Sequence, residues 1–123
     1  MSQILIIAAS VISALTFLIH TFAGGKEVAR PLLADNSLPP ASKWLNYYCW
    51  HITTVMLAFM AAGFGWLAYM PNMPSLIWLS ALCFALCILS AWVAIKGGIN
   101  PLKLPSTSLF FAIGLCGALA IFL

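Results

Sequence analysis

Long apolar runs, broken three times by short polar or Gly- and Pro-rich stretches, dominate the chain. The first extends from about Ile4 to Phe22, the second from about Trp44 to Tyr69, the third from about Ser75 to Ile95 and the fourth from about Ser106 to Leu123. Each is long enough to cross a hydrocarbon core of about 30 Å as a helix rising ~1.5 Å per residue. The breaks are helix stops in their own right. Gly24-Gly25 is expected to end the first span, because paired glycines destabilise a helix and permit a sharp turn. Pro71-Asn72-Met73-Pro74 forms a tight second turn, and Lys96-Gly97-Gly98 closes the third span. The fold class that follows is all-α: an integral membrane four-helix bundle of two antiparallel hairpins, one domain over residues 1–123.

Composition supports lipid as the solvent. Of 123 residues, 64% are apolar and 6% charged, against about a quarter charged in a soluble domain. The net charge of +3 does not point to nucleic acid, because the basic residues sit in short loops and no nucleic-acid motif is present. Lys26, Glu27, Arg30, Asp35 and Lys43 occupy the first loop, and Lys96 and Lys103 flank the third. The second loop and both ends carry no charged side chain. The positive-inside rule therefore places loops 23–43 and 96–105 in the cytoplasm and both termini outside, in a bacterial-type inner membrane. Trp66, Tyr69 and Trp78 mark the outer boundary; Trp44, Tyr47 and Tyr48 mark the cytoplasmic one. The N-terminal Met-Ser-Gln lacks a basic leader region, so the first span is expected to remain as a helix.

Small residues recur four apart within the spans: Ser10 and Ala14, Ala58 and Ala62, Ala61 and Gly65, Gly114 and Ala118. In lipid, packing drives helix association, and such ridges let backbones approach closely. They serve the bundle itself or a surface kept for a partner. The two charged loops also resemble each other. The first runs Gly24-Gly25, Pro31-Leu32, Leu38-Pro39; the last runs Gly97-Gly98, Pro101-Leu102, Leu104-Pro105. This raises an internal duplication, two hairpins in the same orientation about an axis along the membrane normal. Chance competes with it, since Gly, Pro and Leu are common in loops.

The candidate chemistry gathers near the cytoplasmic boundary. His20 lies at that end of the first span and His51 about two turns into the second. Tyr47, Tyr48, His51 and Thr54 recur at three- and four-residue intervals and are expected to share a helix face. Glu27, Lys26 and Arg30 follow the Gly-Gly break and are placed to fold back over it. Ionisable groups in a span are costly and face the bundle interior. Three roles compete. The histidines hydrogen-bond to Tyr, Thr or the loop carboxylate and lock the first hairpin. Or the cluster binds a substrate or conducts protons, since imidazole titrates near neutral pH. Or His20 and His51 ligate a metal ion or a haem b, with Lys26, Arg30 and Lys43 for the propionates. No cofactor is the primary expectation, because small residues that would clear a porphyrin slot are not obvious around His20.

Other chemistry has little support. No Gly-x-Ser-x-Gly or His-Glu-x-x-His occurs, and Glu27 and Asp35 are the only acidic residues. Gly24-Gly25-Lys26 is not a phosphate loop, because no Gly-Lys-Ser/Thr follows. Cys49, Cys83, Cys87 and Cys116 read as small packing residues.

The stretch His20-Thr-Phe-Ala-Gly-Gly-Lys-Glu-Val-Ala-Arg-Pro-Leu-Leu, followed by Cys49-Trp50-His51-Ile52-Thr53-Thr54, resembles a family of small four-span bacterial inner-membrane proteins. The resemblance covers the first half closely and the rest by hydropathy. It implies signature positions at His20, Gly25, Arg30, Pro31, Trp50, His51 and Thr54, and no activity. The leading expectation is a non-enzymatic accessory or scaffold subunit, packing with itself or a larger membrane complex. A small homo-oligomeric transporter or channel, or a redox protein through His20 and His51, are the alternatives.

Overall fold

In the computed structural model, which describes residues 1–123, the chain forms four long helices and no strand. Helix α1 spans Gln3–Ala34, α2 Pro40–Tyr69, α3 Met73–Lys96 and α4 Pro105–Phe122, and all four are long and apolar enough to cross a membrane. The protein is thus a multi-pass membrane protein with an all-α bundle, as its hydropathy predicts. The Ser2 amide donates to the Ala120 carbonyl at 3.0 Å, which puts both chain ends on one side. The five basic residues lie at the opposite end, on α1, at the start of α2 and around the turn from α3 to α4.

Gly24-Gly25 does not end the first helix. The α-helix of Gln3–Leu18 passes into a π-helix over Ile19–Ala29 and returns to a short α-helix, Arg30–Ala34. The wider winding is visible where the Arg30 amide bonds the Gly25 carbonyl, five residues back. Such turns are rare and concentrate where function bends a helix. The real stop comes at Asp35, whose carboxylate accepts from the Ser37 amide (2.7 Å) and hydroxyl (2.6 Å). Lys43, from the first turn of α2, donates to the Leu33 carbonyl at 3.1 Å. Helix α2 then starts at Pro40, where the fixed φ of proline suits a first helical position and no amide is lost.

The other turns follow local chemistry. Asn72 caps α3 by accepting from the Ser75 amide at 2.9 Å. Helix α3 ends in a Schellman motif: Gly98 has φ +68°, its amide reaches the Ile95 carbonyl, and the Ile99 amide reaches Ala94. A turn of 3-10 helix, Pro101–Lys103, leads to Pro105 at the head of α4.

The two hairpins are unequal. Helices α1 and α2 have 32 and 30 residues; α3 and α4 have 24 and 18. At ~1.5 Å per residue the first pair reaches up to about 48 Å and the second about 27 to 36 Å. The basic end of the first hairpin therefore overhangs the second. Helix α1 packs along both α2 and α4, and α3 along α4, whereas α2 and α3 touch little. A two-fold relation between the hairpins would make the α1–α4 and α2–α3 seams equivalent. They are not, and the two Gly-Gly pairs sit in different structures, so the duplication that the loop sequences raise against chance is not matched in the assembly. The Leu-Pro steps both precede a helix but are offset by one residue, with Pro39 capping α2 and Pro105 opening α4.

The core joins Ile6 and Ala9 of α1 to Leu57, Met60 and Phe64 of α2, Leu76 and Cys83 of α3, and Ile113 and Ala120 of α4. The small-residue ridges are used in part. The Ser10 hydroxyl donates to the Ala61 carbonyl at 2.8 Å, and a Cβ on Gly65 would lie 3.2 Å from that oxygen. Gly114 meets Cys83 and Phe84, but its partner in the ridge is Gly117, set against Ser80 and Phe64, rather than Ala118. Ala14, Ala58 and Ala62 are exposed on the lipid side. Four-residue spacing does not reveal which face of a helix meets its neighbour.

Candidate functional site

The π-helical stretch and the facing turns of α2 build a polar constellation between the two helices of the first hairpin. His20 Nε2 lies 3.2 Å from the Trp50 carbonyl and 3.1 Å from Thr54 Oγ1. A carbonyl oxygen only accepts, so Nε2 carries the proton and donates. The Thr54 hydroxyl in turn donates to the same carbonyl at 3.3 Å. The imidazole also stacks on the Trp50 indole, with ring centroids 3.9 Å apart and planes inclined by 19°.

Gly24 is what lets the indole in. A Cβ there would stand 2.6 Å from Trp50 Cη2 and 3.1 Å from Cζ2. Gly25 meets nothing within 4 Å. The pair that reads as a helix stop is a seat for Trp50 beside open space.

Trp50 lines two cavities. One, about 330 Å³, lies between α1, α2 and the head of α4, and is walled by Thr16, His20, Gly24, Glu27, Thr53 and Ser106 among mostly apolar neighbours. The other, about 280 Å³, lies between α1 and α2 alone, with Thr21, Lys26, Arg30, Tyr47, His51 and Thr54 in its wall. His51 packs edge-on against Tyr47, centroids 4.5 Å apart. The structure thus brings Tyr47, His51, Thr54 and Arg30 together. It sends Glu27 to the other cavity. Lys26 and Arg30 reach the site by continuing the helix, not by folding back.

Tyr48 is not part of it. Its ring is exposed, as are those of Trp44 and Trp92, and it belongs with the aromatic belt. Trp50 takes its place on the polar face. The two imidazoles do not face a common slot: His20 lines the larger cavity and His51 the smaller. No three His, Cys, Asp or Glu side chains converge. With Nε2 of His20 committed to Trp50 and Thr54, the paired axial ligation of a haem does not fit this arrangement.

A second polar cluster escaped the sequence reading. Ser90 Oγ lies 2.6 Å from Ser106 Oγ and 2.8 Å from Thr107 Oγ1, and the Cys87 thiol reaches the Thr107 carbonyl at 3.3 Å. It closes the base of the second hairpin. The available signal was three hydroxyls flanking one turn between apolar spans.

No family model, curated protein or solved structure matches the chain.

Proposed function

We propose that the protein is a non-enzymatic accessory subunit of a bacterial-type inner membrane, its termini outside and its overhanging first hairpin in the cytoplasm. The orientation rests on the basic residues, all at one end of the bundle. The membership of a family of small four-span membrane proteins belongs to the same proposal. Recognition takes place at the Trp50 site. The observation that carries this reading is the contrast between the two levels of the bundle. At the basic end, Trp50 and His20 hold open two cavities. Below that level, Ala9, Leu57, Met60, Phe64 and Ile113, and toward the other end Ile6 and Leu76, are each 1% exposed or less. A site that opens at one boundary and is closed beneath suits binding better than passage. The paired roles of His20, as donor and as stacking partner, suit a rigid wall better than a proton carrier.

The test is purification of the whole chain in mild detergent from its native membrane. A stoichiometric companion, protein or small molecule, should accompany the native chain and be lost from Trp50→Ala while the helical spectrum is retained. A bare chain that drives solute flux across proteoliposomes would falsify the reading.

A further inference from the structure

We infer that the smaller cavity, walled by Thr21, Lys26, Arg30, Tyr47, His51 and Thr54, is a receptor for a phosphate-bearing anion of the kind an anionic phospholipid headgroup presents. This rests on the Trp50 site being a binding site at the cytoplasmic boundary, and it names the class of ligand.

Charge is the first argument. Lys26 and Arg30 stand one turn apart on α1, across from Tyr47 and His51 of α2. No carboxylate lines the cavity. Glu27 faces the other one, and Asp35 is bonded to Ser37. The neighbouring cation, Lys43, is already committed to the Leu33 carbonyl. Two exposed cations facing one polar hollow without a counter-charge form an anion site, and a guanidinium beside an ammonium is suited to phosphate oxygens.

The second argument is a spare donor. Thr16, Thr53 and Thr54 each bond the carbonyl four residues back. Thr21 stands in the π-helix, where the ladder is offset by one residue, and its hydroxyl is buried with no partner. It is the only such atom in the protein, and its residue lines this cavity. A buried hydroxyl without a partner is costly, and an acceptor in this cavity would satisfy it once the Thr21 side chain turns toward the hollow.

Size and position complete the case. About 280 Å³ holds a headgroup, not a whole lipid. Phe22 and Leu33 stand at its edge and are exposed, where acyl chains would lie. The cavity sits where α1 has passed through roughly 20 residues of apolar helix, the depth at which headgroups begin. Basic pockets between helices on the cytoplasmic side hold anionic headgroups by this combination.

The experiment is native mass spectrometry of the whole chain in mild detergent, titrated with phosphatidylglycerol or phosphatidylcholine of identical chains, with inorganic phosphate as a competitor. One phosphatidylglycerol should be retained in preference to phosphatidylcholine. The preference should fall by roughly fivefold in Lys26→Gln or Arg30→Gln and about 25-fold in the double variant, and stay unchanged in Lys103→Gln, which lines neither cavity. The three side chains in question are exposed, so the fold is not at risk, and circular dichroism checks it. Phosphate that binds alone with the same cation dependence upholds the anion site and names a soluble source. Equal retention of both lipids, or indifference to the two substitutions, overturns the anion inference while leaving a binding site. Retention of nothing overturns both.

Discussion

Two Gly-Gly pairs end up in opposite roles, and the difference lies outside either pair. Gly97-Gly98 terminates α3, with Gly98 at φ +68° and open space where a side chain would go. Gly24-Gly25 lies within α1, without positive φ, and Gly24 is covered by an indole from 26 positions along the chain. The second hairpin uses its small residues to close a seam, Gly114 and Gly117 against Ser80, Cys83 and Phe84. The first uses one to admit a large aromatic ring and leaves cavities on either side. Glycine in lipid thus marks close approach, and the partner decides whether the result is a sealed contact or a built site.

The largest expected effect tests the sealed seam. In Gly117→Leu a side chain must enter a space bounded by Ser80 Cβ at 3.2 Å and Phe64 Cε1 at 3.3 Å, both next to fully buried groups. Overpacking of this kind costs about 3 kcal/mol. Thermal melting in detergent should show a large drop, with the α3–α4 pair separating. An unchanged melting temperature would mean that this seam is looser than its distances imply.

The next effect sets the glycine pairs against each other with opposite signs. Gly98→Ala forces a side chain into the left-handed region and should destabilise by about 1–2 kcal/mol. Gly25→Ala meets nothing and gains helix propensity, and should stabilise by about 0.5–1 kcal/mol. If both substitutions destabilise, Gly25 is needed for the π-helical winding itself, and the contrast drawn between the pairs narrows to Gly24 alone.

This contrast also explains what the sequence made legible. The four spans and the Pro71–Pro74 turn depend on local hydropathy and on proline's fixed φ, and could be read directly; the start of α2 at Pro40, ahead of the apolar run that begins near Trp44, could not. The meeting of His20 with Thr54 was legible because consecutive antiparallel helices bring their shared ends together. The continuation through Gly24-Gly25 was not, because it depends on where Trp50 falls, and that depends on the rotation of α2. The same rotation decides that Trp50 faces α1 and Tyr48 faces lipid, although three- and four-residue spacing admits Tyr48. The Ser90, Ser106 and Thr107 cluster was missed because single hydroxyls in apolar runs carry no periodic signal.

A smaller effect separates the two polar clusters. Ser90→Ala removes two hydroxyl contacts across the base of the second hairpin. Hydrogen bonds between membrane helices contribute about 0.6 kcal/mol each on average, so the melting temperature should fall modestly. The Trp50 near-ultraviolet signal should not change, because the cluster bears on α3 and α4. If that signal moves, the hairpins are coupled through Ser106, which lines the larger cavity.

The smallest effect concerns the end of α1, where the first hairpin finds the stop that Gly24-Gly25 does not provide. The Ser37 hydroxyl and then the Ser37 amide bond the Asp35 carboxylate and, with Lys43 nearby, hold its pKa below the ordinary carboxylate value. A depressed folded-state pKa stabilises the turn above the unfolded pKa, and that contribution disappears as pH falls through the folded value. Ser37→Ala removes the larger of the two bonds and keeps the amide. The Asp35 titration midpoint, followed by carbon NMR of the carboxyl, should therefore move upward toward its ordinary value without reaching it. Asp35 lines neither cavity, so ligand retention at the Trp50 site should be the same in Ser37→Ala as in the native chain. A midpoint that stays put would assign the depression to the backbone amides and Lys43 rather than to the Ser37 hydroxyl. A loss of ligand would mean that the position of Lys26 and Arg30 depends on how α1 ends, tying the stop at Asp35 to the cavity two turns above it.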